Sequence, residues 1–362
     1  MTGGADTRDA TRPAAGSLPI VTVVIPCLDE ARFIGPCLES IVMNQYPSDC
    51  LDVIVVDGGS RDGTAEILAT YAERYPFVSV VTNPARVTPV AFNIGIRQAR
   101  GDLIMLMSAH ATLAEGAIAK AVAFSRSSGA ENVGGRWEVV PRGQRLLDLG
   151  IAAALSHWFG VGNATYRTGT TREPRWVDTA AYGCYRRDVF ARIGVFNERL
   201  VRGQDMEFNR RLRRAGGRTL FVPDIVVRYY ARSDVRSFVR HSFVNGVWAL
   251  LPFAYAEGVP VSARHLTPMI FVLGVGASLA AGLASLGWWP LLLIGGSYVV
   301  ADLVASVDLA RQRGQPHLGF VVPFLFAALH TAYGLGSAWG AVRALVALAR
   351  GRSRPTVSVR AA

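Results

Sequence analysis

Lysine is nearly missing from this chain. Lys120 is the only one among 38 basic residues, so the net charge of +11 rests on arginine. The four cysteines, Cys27, Cys37, Cys50 and Cys184, form no C-x-x-C pair. That argues against a zinc site, and their scatter suits a reducing compartment. The G-x-G-x-x-G fingerprint of dinucleotide sites is absent. The first 18 residues are rich in Gly, Ala, Thr and charge and lack the apolar stretch of a signal peptide; they read as a disordered tail. A basic balance can serve nucleic acid, an anionic membrane or a phosphate-rich substrate. The first 200 residues contain no compact basic run interleaved with aromatics, so nucleic acid ranks last as a partner.

What is present is apolar. Hydrophobic residues make up 51% of the 362. Before residue 265 short β-branched runs alternate with helical patterns. Strands are predicted at 20–26, 52–59, 78–82 and 102–107, and helices at 31–45, 63–75 and 87–100. This order predicts an α/β domain with a mostly parallel sheet, whose ligands belong at the carboxyl ends of the strands. After residue 265 the chain is membrane-like. Leu266–Leu286 is 21 residues without a charge, and Trp288–Val307 is 20 residues with one, Asp302. Each can span a bilayer core of about 30 Å, and Gly287-Trp288-Trp289-Pro290 reads as the hairpin turn between them. The third stretch, Leu318–Ala349, is long for one span. Arginines flank it at 311, 313, 350, 352 and 354, and a single crossing would leave one basic end outside. Two short segments broken near Gly334 and Gly336, or a re-entrant helix, satisfy both ends, and an even number of crossings is expected. Residues 234–257 read equally as an interfacial helix and as one packed on the domain.

Acids cluster at the predicted strand ends. Asp29 and Glu30 follow Pro26, and Asp57 precedes two glycines and Ser60-Arg61-Asp62-Gly63-Thr64. An acid there can hold ribose hydroxyls or a base; Asp62 and Thr64 can equally cap a helix. A third turn carries Ser108-Ala109-His110 after a buried strand, where a pair of carboxylates might be expected.

"VVIPCLDE", "VIVVDGGSRDGT", "NPARVTPVAFNIGIRQARGD" and "GQDMEFNRRLRRAG", in this order, resemble family 2 glycosyltransferases of the GT-A fold. "FGVGNATYRTG", "VDTAAYGCYRRDVFARIGVF" and "LHTAYGLGSAWG" are similar to membrane-bound transferases of the succinoglycan type in bacterial exopolysaccharide assembly. The resemblance covers residues 20–345. It implies a GT-A domain at 19–233, a helical connector at 234–265, a transmembrane region at 266–349 and a basic cytoplasmic tail at 350–362.

For the site, the resemblance implies that Pro26, Asp29 and Glu30 line the nucleotide pocket and that Asp57 contacts the uracil or ribose. Arg86 and Asn93 would lie near the nucleotide. Asp205 matches the catalytic base, with Gln204 where the family has a first acid. The Ser108-Ala109-His110 turn matches the family's Asp-Ala-His, so His110 is the expected ligand for Mn²⁺ or Mg²⁺, with Ser108 in place of the aspartate. Without a metal, Arg86 or Arg232 would clamp the diphosphate. Asn163, Tyr166 and Arg167 lie on a glycine-flexed loop that reads as a lid. The region of the family's Gln-x-x-Arg-Trp signature holds "RHSFVNGVW", with His241 and Trp248. The implied enzyme is an inverting hexosyltransferase of a bacterial inner membrane with a cytoplasmic catalytic domain. It would move a sugar, glucose in the first instance, from a UDP-sugar to a polyprenyl-diphosphate-linked acceptor. Transfer to a lipid phosphate and an inactive nucleotide-sugar-binding scaffold stand as alternatives.

Overall fold

The computed structural model describes residues 17–350 apart from 163, 170 and 257–264. Most of the expected N-terminal tail and all but the first residue of the basic tail therefore lie outside the described residues.

The alternation expected at the start is present: β1 (Val21–Cys27), α1 (Ala31–Val42), β2 (Leu51–Asp57), α2 (Thr64–Arg74), β3 (Val78–Thr82), α3 (Thr88–Gln98) and β4 (Leu103–Leu106). Next come β5 (Ala111–Leu113), α4 (Ala117–Ser128), β6 (Asn132–Val140), α5 (Leu146–Ala154), α6 (Trp158–Val161) and α7 (Thr165–Thr168). The domain closes with β7 (Arg175–Val177), β8 (Ala181–Arg186), α8 (Arg187–Ile193), α9 (Gln204–Arg214) and β9 (Thr219–Tyr230). The nine strands form one sheet in the order β3-β2-β1-β4-β8-β6-β9-β5, with β7 also on β9. Its first half is parallel. Its second half is mixed: β8 runs antiparallel to β4 and β6, β9 runs parallel to β6, and β5 and β7 run antiparallel to β9.

Both faces of the parallel half are covered, which is why β1 and β2 are apolar at nearly every position. Val23, Ile25, Val53 and Val55 pack on one face with α1, and Val24, Ile54 and Val56 pack on the other. Gly95 lets α3 lie directly on β1, since a Cβ there would collide with Val24.

Four helices follow: α10 (Val235–Leu250), α11 (Thr267–Leu283), α12 (Trp289–Arg313) and α13 (Val322–Ala349). Two of them, α12 and α13, are long and apolar enough to cross a membrane, and α11 is a shorter apolar helix. A core of Val139, Ile151, Phe238, Leu309, Leu325 and Phe326 joins these helices to the α/β domain.

The expected interruption near Gly334 and Gly336 is not there; α13 is one helix of 28 residues. The glycines serve close packing instead. A Cβ at Gly336 would strike the Phe243 carbonyl, one at Gly340 the Val247 carbonyl, and one at Gly334 the Pro268 carbonyl. Gly246 meets the Tyr333 carbonyl from the opposite side. Small residues so placed let helix backbones touch. α10 packs against α13 and, through Phe238, against the domain core, with Ser242, Val247 and Leu250 also buried.

Candidate active site

The carboxyl ends of β1, β2 and β4 lie side by side at one edge of the sheet. Asp57 ends β2 and folds the following turn around itself. Its carboxylate accepts from the backbone N–H groups of Gly59 and Ser60 at 2.9 and 3.1 Å and from the Ser60 hydroxyl at 2.6 Å. Ser60 Oγ in turn accepts from Asp29 N–H at 2.8 Å, and Asp29 Oδ1 accepts from Arg61 N–H at 2.8 Å. Asp29 and Arg86 are both left-handed, with φ of 53° and 56°, a conformation uncommon for residues other than glycine and concentrated at functional sites. Their side chains face each other at 3.9 Å. Asp62 accepts from Thr64 N–H at the start of α2 at 3.2 Å, and Asp62 and Thr64 also accept from the backbone N–H groups of Ala31 and Glu30 at the start of α1.

Asn93 does not reach the cleft. It is buried, and its amide is spent on the Phe196 backbone and Glu198, each at 2.9 Å. It ties α3 to the segment before α9, so the expected place beside the nucleotide is corrected to a structural clamp.

The turn after β4 brings His110 to Glu30, with Nδ1 2.8 Å from Oε1. A carboxylate only accepts, so Nδ1 carries a proton in this contact. Nε2 lies on the other side of the ring, 3.4 Å from Ser108 Oγ. A histidine oriented by a carboxylate in this way is the usual arrangement of a metal ligand. No group of three His, Cys, Asp or Glu side chains that could hold an ion exists among the described residues. A divalent cation at this turn would therefore be held by a single protein nitrogen, that of His110. Imidazole suits Mn²⁺ better than Mg²⁺. Cys27 and Cys37 lie nearby, but burial pushes both thiols up, so neither is a nucleophile at neutral pH.

Aromatic rings lead from His110 toward Asp205. The imidazole meets Tyr229 edge-on at 5.4 Å. Trp137 is stacked between Tyr229 and Tyr182 at 4.9 and 5.1 Å and takes Tyr166 on its edge at 5.3 Å. The Arg167 guanidinium lies over the Trp137 ring at 4.6 Å. Tyr166 and Arg167, from α7, thus lie against this ring stack; Asn163 lies outside the described residues.

Gln204 and Asp205 open α9 behind a left-handed Gly203. Gln204 Oε1 is buried without a hydrogen-bond partner among the described residues. Asp205 is exposed, yet burial by the surrounding protein raises its carboxyl above the ordinary 3.8, against its own backbone hydrogen bonds and the charge of Arg167. Its exposure leaves it open to an acceptor, and the protein packed around it raises its basicity.

Sequence reasoning missed Trp137, Tyr182, Arg142 and Arg202. It noted His241 only through a loose signature; His241 Nδ1 accepts from Arg202 at 3.2 Å.

A mixed sheet of this order, with acidic turns at the carboxyl ends of its parallel strands, is the GT-A glycosyltransferase fold. A solved mannosyltransferase from Pyrobaculum calidifontis, in complex with GDP-Man and Mn2+, superposes with a TM-score of 0.56 at 20% identity, covering 92% of this chain and 90% of that one. Residues 22–194 match the family described as Glycosyl transferase family 2. This part of the chain matches a family 2 glycosyltransferase domain, and the protein is a glycosyltransferase. The chain is 27% identical to the succinoglycan biosynthesis protein ExoA of Rhizobium meliloti over 286 residues, 74% of this chain and 85% of that one. It is 24% identical over 333 residues to a "Dolichyl N-acetyl-alpha-D-glucosaminyl phosphate 3-beta-D-2,3-diacetamido-2,3-dideoxy-beta-D-glucuronosyltransferase" of Methanococcus voltae, 89% of this chain and 97% of that one.

Proposed function

We propose that the protein moves a hexose, with inversion, from a UDP-sugar to a sugar carried on a polyprenyl diphosphate. The observation that carries this reading is Asp205, a cleft carboxylate of raised basicity across an aromatic wall from the nucleotide turns. An acceptor hydroxyl is a poor nucleophile. Asp205 takes its proton as the oxygen attacks the anomeric carbon and the bond to the diphosphate breaks. Direct displacement turns an α-linked donor into a β-linked product. Asp29, Asp57 and Arg86 would position the nucleotide. Glu30 fixes His110 so that Nε2 would meet a cation at the diphosphate. Such a cation, when bound, neutralises charge on the leaving group.

The acceptor class is supported by the relative named for a dolichyl-phosphate sugar, and the alternative donor by the GDP-Man of the solved neighbour. Membrane placement is supported by the helices. Both ends of α13 return to the catalytic domain. Phe326 packs on His157 and Phe159 at one end, while Ala344 and Ala347 meet Tyr255, whose carbonyl accepts from Asn197, at the other. Leu335, Trp339, Val342 and Leu345 are exposed on its outer face. We therefore place α13 along the membrane surface, with α11 and α12 as the hairpin that enters the bilayer. Both arginine-flanked ends then stay on the catalytic side of a cell membrane, without any break in the helix.

The test is transfer by detergent-purified protein from labelled UDP-glucose and GDP-mannose to a lipid-linked sugar and to a lipid phosphate. Transfer from UDP-glucose to the lipid-linked sugar is expected. Transfer only to the lipid phosphate would establish a lipid-phosphate sugar synthase. Nucleotide binding without any transfer would establish a scaffold.

A further inference from the structure

Arginines gather where β6, β9 and the segment before α9 approach the start of α1. Arg142 follows β6, Arg232 follows β9, and Arg202 precedes α9. Arg232 is their shared neighbour: after burial, its charge is the main pull lowering both Arg142 and Arg202. Burial, Arg202 and Arg232 together hold His241 down to about 3, so it stays neutral.

The contacts that hold these arginines are neutral. Arg142 lies over the Phe33 ring at 4.4 Å. Arg202 donates to His241 and to the Asn245 amide oxygen. Arg232 donates to Ser237 Oγ at 3.2 Å. Glu30 acts on Arg142, but its Oε1 is already engaged by His110. The Nε atoms of Arg142, Arg167 and Arg232 are buried with no hydrogen-bond partner among the described residues. A buried donor without an acceptor is costly, and natural proteins carry few. Several on adjacent like charges mark a place made for an anion that comes from outside. Planar guanidinium forks match phosphate oxygens in pairs.

We propose that Arg142, Arg202 and Arg232 form a second phosphate subsite, separate from the nucleotide turns, that takes the phosphate of the lipid-linked acceptor. This rests on the reading of the protein as a transferase with such an acceptor. The position suits it: the cluster borders α10, the helix packed along α13. Arg202 bonds His241 on α10, and Arg142 lies over Phe33, three residues from Glu30, so an acceptor anchored here would lie next to the donor turn.

Three probes separate the possible sources of a phosphate. Farnesyl diphosphate stands for the acceptor's lipid diphosphate, UDP for the donor, and phosphatidylglycerol vesicles for a headgroup. Binding is measured on the full-length protein in detergent, or by vesicle flotation, for wild type, Arg232→Gln and Arg142→Gln. Loss of charge-assisted hydrogen bonds is expected to raise the Kd for farnesyl diphosphate roughly ten- to a hundred-fold and leave that for UDP within about two-fold. If UDP weakens and farnesyl diphosphate does not, the arginines clamp the donor and the proposal falls. It falls equally if only vesicle binding changes, or if nothing changes. Should Arg232→Gln lose its thermal transition, Arg142→Gln decides by the same criteria, since its Nε has no partner to lose. If wild type transfers sugar but farnesyl diphosphate neither binds nor competes, this subsite is refuted and the transferase reading stands. If wild type binds no nucleotide, the transferase reading itself fails.

Discussion

Replacing Asp205 with asparagine separates catalysis from stability, and the two effects have opposite signs. The amide keeps the shape and cannot take a proton. A positioned general base contributes roughly 10²–10⁴-fold, so kcat is expected to fall by that factor with the Kd for UDP unchanged. Stability should not fall with it. Burial raises the folded carboxyl above 3.8, so its ionised form is disfavoured by the fold. The protein is relatively more stable where this group is protonated, and that advantage is lost as pH rises from 3.8 through the folded value. At neutral pH asparagine removes this cost. The contacts that favour the anion in the first turn of α9 are outweighed, so the melting temperature should hold or rise slightly. In wild type the transfer rate should rise with pH through an apparent pKa above 3.8. The assays are single-turnover transfer and thermal melting at neutral pH. Asp205→Asn protein that transfers at the wild-type rate would refute the base assignment. A large loss of stability would show that the carboxylate holds the fold together rather than serving the cleft.

Three further outcomes follow from the geometry. Glu30→Gln removes the carboxylate that fixes His110, and the Mn²⁺ concentration for half-maximal transfer should rise about 10–100-fold; an unchanged Mn²⁺ titration would leave Glu30 without this role. Gly336→Ala drives a methyl into the Phe243 carbonyl, and the helices must part at a cost of about 1–3 kcal/mol, read as a lower melting temperature; an unaltered melt would mean that α10 and α13 are not in backbone contact. His330 links Tyr298 to the Phe159 carbonyl at 2.9 Å on each side. His330→Ala should destabilise by about 1–3 kcal/mol and lower transfer through the segment carrying Tyr166 and Arg167, whereas normal transfer would uncouple α13 from that segment.

The parallel half of the domain was legible because its signals are local. β1, β2 and β4 are apolar runs that end in a polar turn, so Asp29, Asp57 and His110 could be placed at strand ends by reading along the chain. The mixed half was not. β9 pairs with β6, β5 and β7, partners set by tertiary packing rather than by any short pattern. The same holds for the cleft wall. Trp137, Tyr182 and Tyr229 come from three strands, and nothing in their neighbourhoods announces that they stack. Asn93 was misplaced because a motif position does not show where the amide points; its three hydrogen bonds do. The glycines of α13 carried a real signal that admits two meanings, a break or a close approach. Only the helix that lies against Gly336 and Gly340 tells them apart.

The most direct test of the account is the anomeric configuration of the product. Purified protein is given UDP-α-glucose, Mn²⁺ and a lipid-linked sugar, and the new linkage is read by NMR from the coupling of its anomeric proton. The account predicts a β-linkage, lost in Asp205→Asn. An α-linked product, or a β-linked product still formed at full rate by Asp205→Asn, would contradict direct displacement assisted by this carboxylate.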